Sequence, residues 1–217
     1  MVERNLALED LIEHMKNTGA LKSKKIEKAL REVPRHEFVP KNNAMFAYDD
    51  APLSIGQGQT ISQPTTVVLM TEALDIRKGQ KILEIGSGSG WQAAILSKLV
   101  SDTGKVFTME RVPELVKMAR KNLKKYKNVK VIKGDGTEGL EKEAPFNRII
   151  VTAAAPSIPA TLKDQLKTGG KLVIPTGNRF VQEMMIITRT KKNKFEEKRF
   201  GSFAFVPLIG KYGFTTS

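Results

Sequence analysis

In the first 35 positions the apolar residues fall at helical spacing in two blocks. Leu8, Leu11, Ile12 and Met15 form one stripe. After a break at Asn17-Thr18-Gly19, Ile26, Ala29, Leu30 and Val33 form a second, with Ser23 placed as its N-cap. Two helices capping a larger body are expected over residues 1–35. From 34 to 64 no period is visible, and the stretch carries four prolines and two glycines. Irregular segments of about 30 residues are uncommon in compact domains and usually serve a site when ordered, so 36–64 is read as an active-site loop. Val67, Val68, Met70, Thr71 and Leu74 then predict a helix opening near Pro64.

Beyond residue 79 short apolar runs alternate with amphipathic helices. The runs are KILEI (81–85), KVFTM (105–109), VKVI (129–132), RIIVTA (148–153), KLVIP (171–175), MMIIT (184–188) and FAFVP (203–207). That alternation predicts an α/β fold, a doubly wound and mostly parallel seven-stranded sheet with helices on both faces. Residues 1–217 read as one domain whose sheet core spans 65–217, behind the short helical cap.

Composition narrows the picture. The chain has 217 residues, 40% hydrophobic and 27% charged, enough for one substantial core. It lacks the roughly 18 uninterrupted apolar residues of a membrane span, and acids interrupt the N-terminal apolar positions where a signal peptide would be clean. A soluble, cytoplasmic protein with no membrane partner is expected, and a monomer. With no cysteine and two histidines, no metal site is expected. The formal charge of +13 invites a nucleic-acid reading, but residues 1–62 are balanced at nine basic against nine acidic. The excess sits in 117–133, with eight basic residues and no acid, and in 189–199, with six basic residues against Glu196 and Glu197. Helical spacing of Val112, Leu115, Val116, Ala119 and Leu123 leaves the lysines of the first segment on a solvated face. The second reads as a lysine-tipped hairpin. Lysine outnumbering arginine 26 to 10, with no cysteine, also fits a heat-adapted source.

The chemistry concentrates after the first core strand, where Glu84-Ile85-Gly86-Ser87-Gly88-Ser89-Gly90 turns into a helix beginning at Trp91. Glycines at alternate positions let a ligand lie against bare amides at a helix N-terminus. A second strand ends in Glu110, twenty residues past Gly90, where a carboxylate accepts hydrogen bonds from ribose hydroxyls. The dinucleotide fingerprint needs its third glycine three residues after the second; here it comes after two, and Trp91 holds the fingerprint position. Pyrophosphate therefore fits poorly, and Glu84 favours a cationic ligand. S-adenosylmethionine has that profile. Gly134-Asp135-Gly136 offers another carboxylate near the expected adenine, or a plain turn. Trp91 reads as packing under this loop. Arg35 reads as paired with a carboxylate, either Asp49 or Asp50 or one on a substrate.

These segments resemble the S-adenosylmethionine-dependent methyltransferases. Val33-Pro34-Arg35-His36 with Phe38-Val39, Tyr48-Asp49-Asp50 with Pro52-Leu53, GQGQTISQP (56–64), RIIVTAAAP (148–156) and LKTGGKLVIP (166–175) narrow the resemblance to the protein-L-isoaspartate O-methyltransferase family. Asn147, where that family often has aspartate, is a peripheral departure. The resemblance implies methyl transfer from S-adenosylmethionine to the free carboxylate of L-isoaspartyl residues in damaged proteins and peptides. It implies Ser62 as the active-site residue, and Thr60, Ile61, Gln63, Val206, Pro207 and Leu208 against the substrate. The cofactor would be held by Glu84, Gly86, Ser87, Gly88, Gly90, Glu110, Arg111, Asp135 and Gly136. From the sequence alone Ser62 also reads as an N-cap of the following helix, and both roles are compatible.

An RNA or DNA methyltransferase is the competing reading. Enzymes of that kind that methylate an exocyclic amine carry Asp or Asn, Pro-Pro and an aromatic after the fourth strand, to hold the flipped base. Here that place reads Thr152-Ala153-Ala154-Ala155-Pro156, with neither acceptor nor ring. No nucleic-acid partner is expected.

Overall fold

The computed structural model describes residues 2–215. Met1, Thr216 and Ser217 lie outside the described residues. The cap consists of α1 (Val2–Asn17) and α2 (Lys24–Glu32). Leu11, Ile12 and Met15 of the first and Ile26, Ala29 and Leu30 of the second are buried. Ser23 occupies the N-cap position of α2, but its hydroxyl caps nothing. Instead the amides of Lys22 and Ser23 donate to Glu72 Oε1 at 2.9 and 2.7 Å, so a distant carboxylate satisfies this end and ties it to the next helix. Arg31 pairs with both Glu9 and Glu27, and Lys28 and Lys98 share Glu32, so surface charges are networked around the cap.

The stretch expected to be irregular contains a small hairpin, β1 (Leu53–Gly56) and β2 (Gln59–Ile61). Strands of four and three residues are too short to show a period. The turn signal was present: Gly56, Gln57 and Gly58 all have positive φ. α3 (Pro64–Leu74) follows, and Val67, Val68, Met70, Thr71 and Leu74 are all buried.

The core is a seven-stranded sheet of β3 (Lys81–Ile85), β4 (Lys105–Glu110), β5 (Val129–Lys133), β6 (Phe146–Val151), β7 (Leu166–Gly177), β8 (Gln182–Lys191) and β9 (Lys194–Phe203). Its order is β5-β4-β3-β6-β7-β8-β9, with parallel pairing from β5 to β7 and antiparallel pairing beyond. After β3 the chain runs outward to one side, then returns to β6 and runs to the other. The carboxyl ends of β3 and β6 therefore flank a switch point, where such sheets open a crevice.

The central strands are buried on both faces. Ile82, Val106, Ile150 and Val173 point into a thick layer made by the cap, α3, α4 (Trp91–Val100) and α5 (Pro113–Asn122). Leu83, Phe107, Ile149 and Leu172 face the other way, into a thinner layer with the five-residue α6 (Ala160–Asp164) and Leu208. The doubly wound expectation holds, with one face much more heavily helical than the other.

The last run departs from its expected strand. β9 is Lys194–Phe203, an edge strand whose residues are mostly exposed, so the apolar run 203–207 marked only its end. Gln182 Oε1 accepts the Phe205 N–H at 2.7 Å, and Ala154 N–H donates to Val206 C=O at 2.8 Å. These two bonds draw residues 204–208 off the sheet and across the end of β6. The lysine-tipped hairpin expected between β8 and β9 is present, turning at Lys191–Lys194.

Candidate active site

At the switch point lies a cavity partly open to solvent, about 980 Å³ when the open solvent within its mouth is included. Of the residues expected at the site, Thr60, Ile61, Ser62, Glu84, Gly86, Ser87, Gly88, Glu110, Arg111, Gly136, Val206, Pro207 and Leu208 line it together. Gly90, Asp135 and Gln63 do not. Sequence reasoning missed Met70, Met109, Val112, Leu115, Thr152 and Ile209, apolar or short side chains whose only signal was their place at the ends of strands or on helices.

On the glycine-turn side, local structure follows from the sequence. Gly86 has φ +96°, and a Cβ there would fall 2.4 Å from Thr152 Oγ1. Thr152 needs that closeness, because its hydroxyl donates to Gly86 C=O at 2.8 Å and locks β6 to the turn. The amides of Gly86 and Ser87 are not bare as expected: both donate to Met109 C=O, at 2.9 and 3.1 Å. The Gly88 amide donates to Glu110 Oε2 at 3.1 Å. Glu110 Oε1 takes the amides of Arg111 and Val112 at 2.8 and 3.0 Å. Three backbone donors thus hold this carboxylate in place, with acceptor capacity to spare for ligand hydroxyls. Gly90 serves packing, since a Cβ there would lie 2.9 Å from Leu123.

Glu84 is the anomaly. It is fully buried, and neither carboxyl oxygen has a hydrogen-bond partner among the described residues. Burial, reinforced by the nearby Glu110 charge, pushes its pKa up to about 8. The neighbouring Thr108 hydroxyl is engaged with Ser87 Oγ at 2.6 Å. An orphaned acid at the base of a cavity is the complement of a cation, so the donor set fits a positively charged ligand.

Asp135 is the clearest departure. Its Oδ1 accepts from the Thr137 amide and hydroxyl at 2.9 and 2.7 Å, and its Oδ2 accepts the Lys211 amide at 2.7 Å. Burial would raise its pKa, but these bonds outweigh burial and hold it below the ordinary value. The carboxylate therefore fastens the C-terminal segment to the turn after β5, instead of facing the cavity.

On the opposite wall lies Ser62. It does not cap α3. Gln63 occupies the N-cap position, and Asp50 supplies the capping oxygen to the Thr65 amide at 2.9 Å. Gln63 Nε2 donates to the same carboxylate at 3.0 Å, which turns its side chain away from the cavity. Arg35 pairs with no carboxylate among the described residues. It is 1% exposed and donates to the carbonyls of Ala47, Ala51 and Ser62 at 2.8, 2.9 and 3.0 Å. Trp91 is packing as expected, its Nε1–H donating to Val33 C=O at 3.1 Å. The hairpin leans on the glycine turn through Ile55, whose Cδ1 lies 3.3 Å from a Cβ built on Gly88.

A parallel sheet with a glycine turn, a ribose-type acid and a buried acid for a cation defines a Rossmann-like, S-adenosylmethionine-dependent methyltransferase. The sequence model of the protein-L-isoaspartate(D-aspartate) O-methyltransferase family matches residues 6–213, and the chain belongs to that family. Protein-L-isoaspartate O-methyltransferase of Methanopyrus kandleri is 51% identical over 211 residues, covering 96% of this chain and 93% of the relative. A solved protein-L-isoaspartate O-methyltransferase superposes with TM-score 0.86 at 30% identity, covering 95% of this chain and 67% of its own. A Plasmodium falciparum protein assigned to the same activity, in complex with S-adenosyl-L-homocysteine, gives TM-score 0.81 at 26% identity over 92% of this chain and 97% of its own.

Proposed function

We propose that this cavity transfers a methyl group from S-adenosylmethionine to the free carboxylate of L-isoaspartyl residues in proteins and peptides, with Ser62 contacting the acceptor. The observation that carries the reading is one cavity lined on its glycine-turn side by the unpartnered Glu84 carboxyl and on its hairpin side by Ser62. Glu84, Gly86, Ser87, Gly88, Glu110, Arg111 and Gly136 would hold the donor, with Met109, Val112 and Leu115 as an apolar wall for its base. Asp135 would act from behind, through the turn it braces. Thr60, Ile61, Val206, Pro207 and Leu208 would contact the substrate, while Gln63 keeps the Ser62 backbone in register through Asp50.

The bound cofactor supplies an electrophilic methyl on a sulfonium. The acceptor, with a carboxyl pKa of about 4, is already ionised at neutral pH, so no side chain has to remove a proton. The chain's part is to align the two and exclude water while opposite charges cancel. Hairpin, glycine turn and C-terminal segment together are built for that. The products are a methyl ester and S-adenosylhomocysteine.

The working unit proposed is a monomer. Arg111 is the sole basic residue lining it among the described residues, which favours a peptide acceptor over nucleic acid. No described helix is long and apolar enough to cross a membrane, and the absence of cysteine suits the cytoplasm.

The test incubates the protein with labelled cofactor and either an isoaspartyl peptide, its aspartyl twin or tRNA, and looks for base-labile label. Label on the first alone supports the reading; label on tRNA overturns it. Within the site, Ser62→Ala lowers turnover of the isoaspartyl peptide while cofactor affinity stays within about twofold. Full turnover in that variant would remove Ser62 from its role.

A further inference from the structure

Arg35 has no place in the chemistry above, yet its surroundings are unusual. Its guanidinium is buried with no carboxylate within ion-pairing distance among the described residues, and its head is spread over backbone carbonyls from one segment, residues 47–62. Nη2 alone joins Ala51 to Ser62. The guanidinium carbon sits 5.3 Å from the centre of the Trp91 ring, and Trp91 lines the cavity beneath the glycine turn. A fork of this kind holds several acceptors in one plane, which the point charge of a lysine does not reproduce. Ser62 lies in the two-residue junction between β2 and α3, and its carbonyl is held there by the Arg35 fork. Burial brings the pKa of Arg35 down to about 10, with Asp50 and Asp49 opposing, so the group stays charged at neutral pH.

We infer that Arg35 is the positioning residue for Ser62: by clamping the Ala47, Ala51 and Ser62 carbonyls against the Trp91 face, it sets the acceptor wall at a distance from the donor at which methyl transfer proceeds. This rests on Ser62 being the acceptor-side residue. A misplacement of about 1 Å in such a geometry costs on the order of 100-fold in rate, so the clamp is worth far more to turnover than to binding.

The experiment is a double-mutant cycle in the full chain. Arg35→Lys keeps the charge and loses the fork, and Arg35→Gln keeps a planar donor and loses the charge. In each, kcat and KM for an isoaspartyl peptide and Kd for S-adenosylmethionine are measured beside the melting curve, alone and combined with Ser62→Ala. The expected result is a fall of about 30-fold in kcat for Arg35→Lys, with cofactor Kd within twofold. In the Ser62→Ala background the same change should cost less than about threefold, because a positioning residue has nothing left to position. Arg35→Gln should keep more turnover than Arg35→Lys. Equal losses in both backgrounds, or a kcat loss matched by an equal loss of cofactor affinity, would overturn the inference and leave Arg35 a general structural residue. Loss of cooperative melting in both Arg35 variants would do the same. If Ser62→Ala alone keeps full turnover, it is the assignment of Ser62 that fails, and the two failures are told apart by that single variant.

Discussion

Glu84→Gln isolates the orphaned acid with almost no change of shape. With a pKa of about 8, Glu84 is about nine-tenths protonated at pH 7 when no cation is present. Binding a cationic ligand against it requires ionisation, at about 1.4 kcal/mol at pH 7 and about 0.4 kcal/mol at pH 8. A charge-assisted hydrogen bond contributes about 1.5–3 kcal/mol. The variant should therefore raise the Kd for S-adenosylmethionine about 6- to 80-fold at pH 8, but only about 1- to 15-fold at pH 7. Calorimetry in two buffers of different ionisation enthalpy counts the proton directly. The wild-type protein should release about 0.9 proton at pH 7, less about 0.1 taken up by the cofactor's own amine, and the variant should release none. Stability supplies the independent sign. The folded pKa lies above the ordinary 4.5, so the folded state holds the extra proton between about 4.5 and 8, and stability falls as pH rises through that window by up to about 5 kcal/mol. The ligand-free melting temperature of the wild type should fall relative to that of Glu84→Gln as pH rises from 5 to 8. A Kd ratio independent of pH, together with proton release below about 0.2, would refute the assignment of Glu84 to a cation.

Two further outcomes follow from the same geometry. Gly86→Ala places a Cβ 2.4 Å from Thr152 Oγ1 at a backbone φ of +96°, so it should destabilise the fold by about 1–3 kcal/mol and weaken cofactor binding more than 10-fold; an unchanged urea midpoint and Kd would contradict the packing described. Asp135→Ala should release the Lys211 amide and loosen the C-terminal segment, lowering stability by about 1–2 kcal/mol and raising KM for the peptide more than Kd for the cofactor. Because the folded pKa of Asp135 lies below its ordinary 3.8, that stability difference should be present from pH 5 to 8 and vanish as acid protonates the folded carboxylate. A cofactor Kd that rises while peptide KM holds would restore Asp135 to the adenine site.

Much of the donor side was legible in the linear chain because it is local. A buried strand, a glycine turn with φ values closed to other residues, and a helix opening at Trp91 are all read from neighbouring positions. The Glu110 carboxylate could be placed because β4 lies beside β3 and its end meets the same edge. The acceptor side was less legible. Ser62 suits a cap by its place just ahead of Pro64; Asp50, remote in the chain, takes that role because the chain from 35 to 62 closes back on itself around Arg35. Arg35 was expected beside a carboxylate on grounds of charge. It met carbonyls, because the fold brings several of them to one point.

What the sequence by itself determined was the alternation of the core strands with helices from β3 to β8 and the glycine turn, since apolar periodicity reports which face of a segment is hidden and glycine reports where the backbone must turn left-handed. Only the tertiary structure decided which polar side chains face the cavity and which are consumed as fasteners. A carboxylate such as Asp135 binds whichever donors the folded chain brings to it, and its partner Lys211 lies 76 residues away. Hydrogen-bond partners at that separation leave no periodic trace, because they are chosen by chain closure and not by the burial of a face.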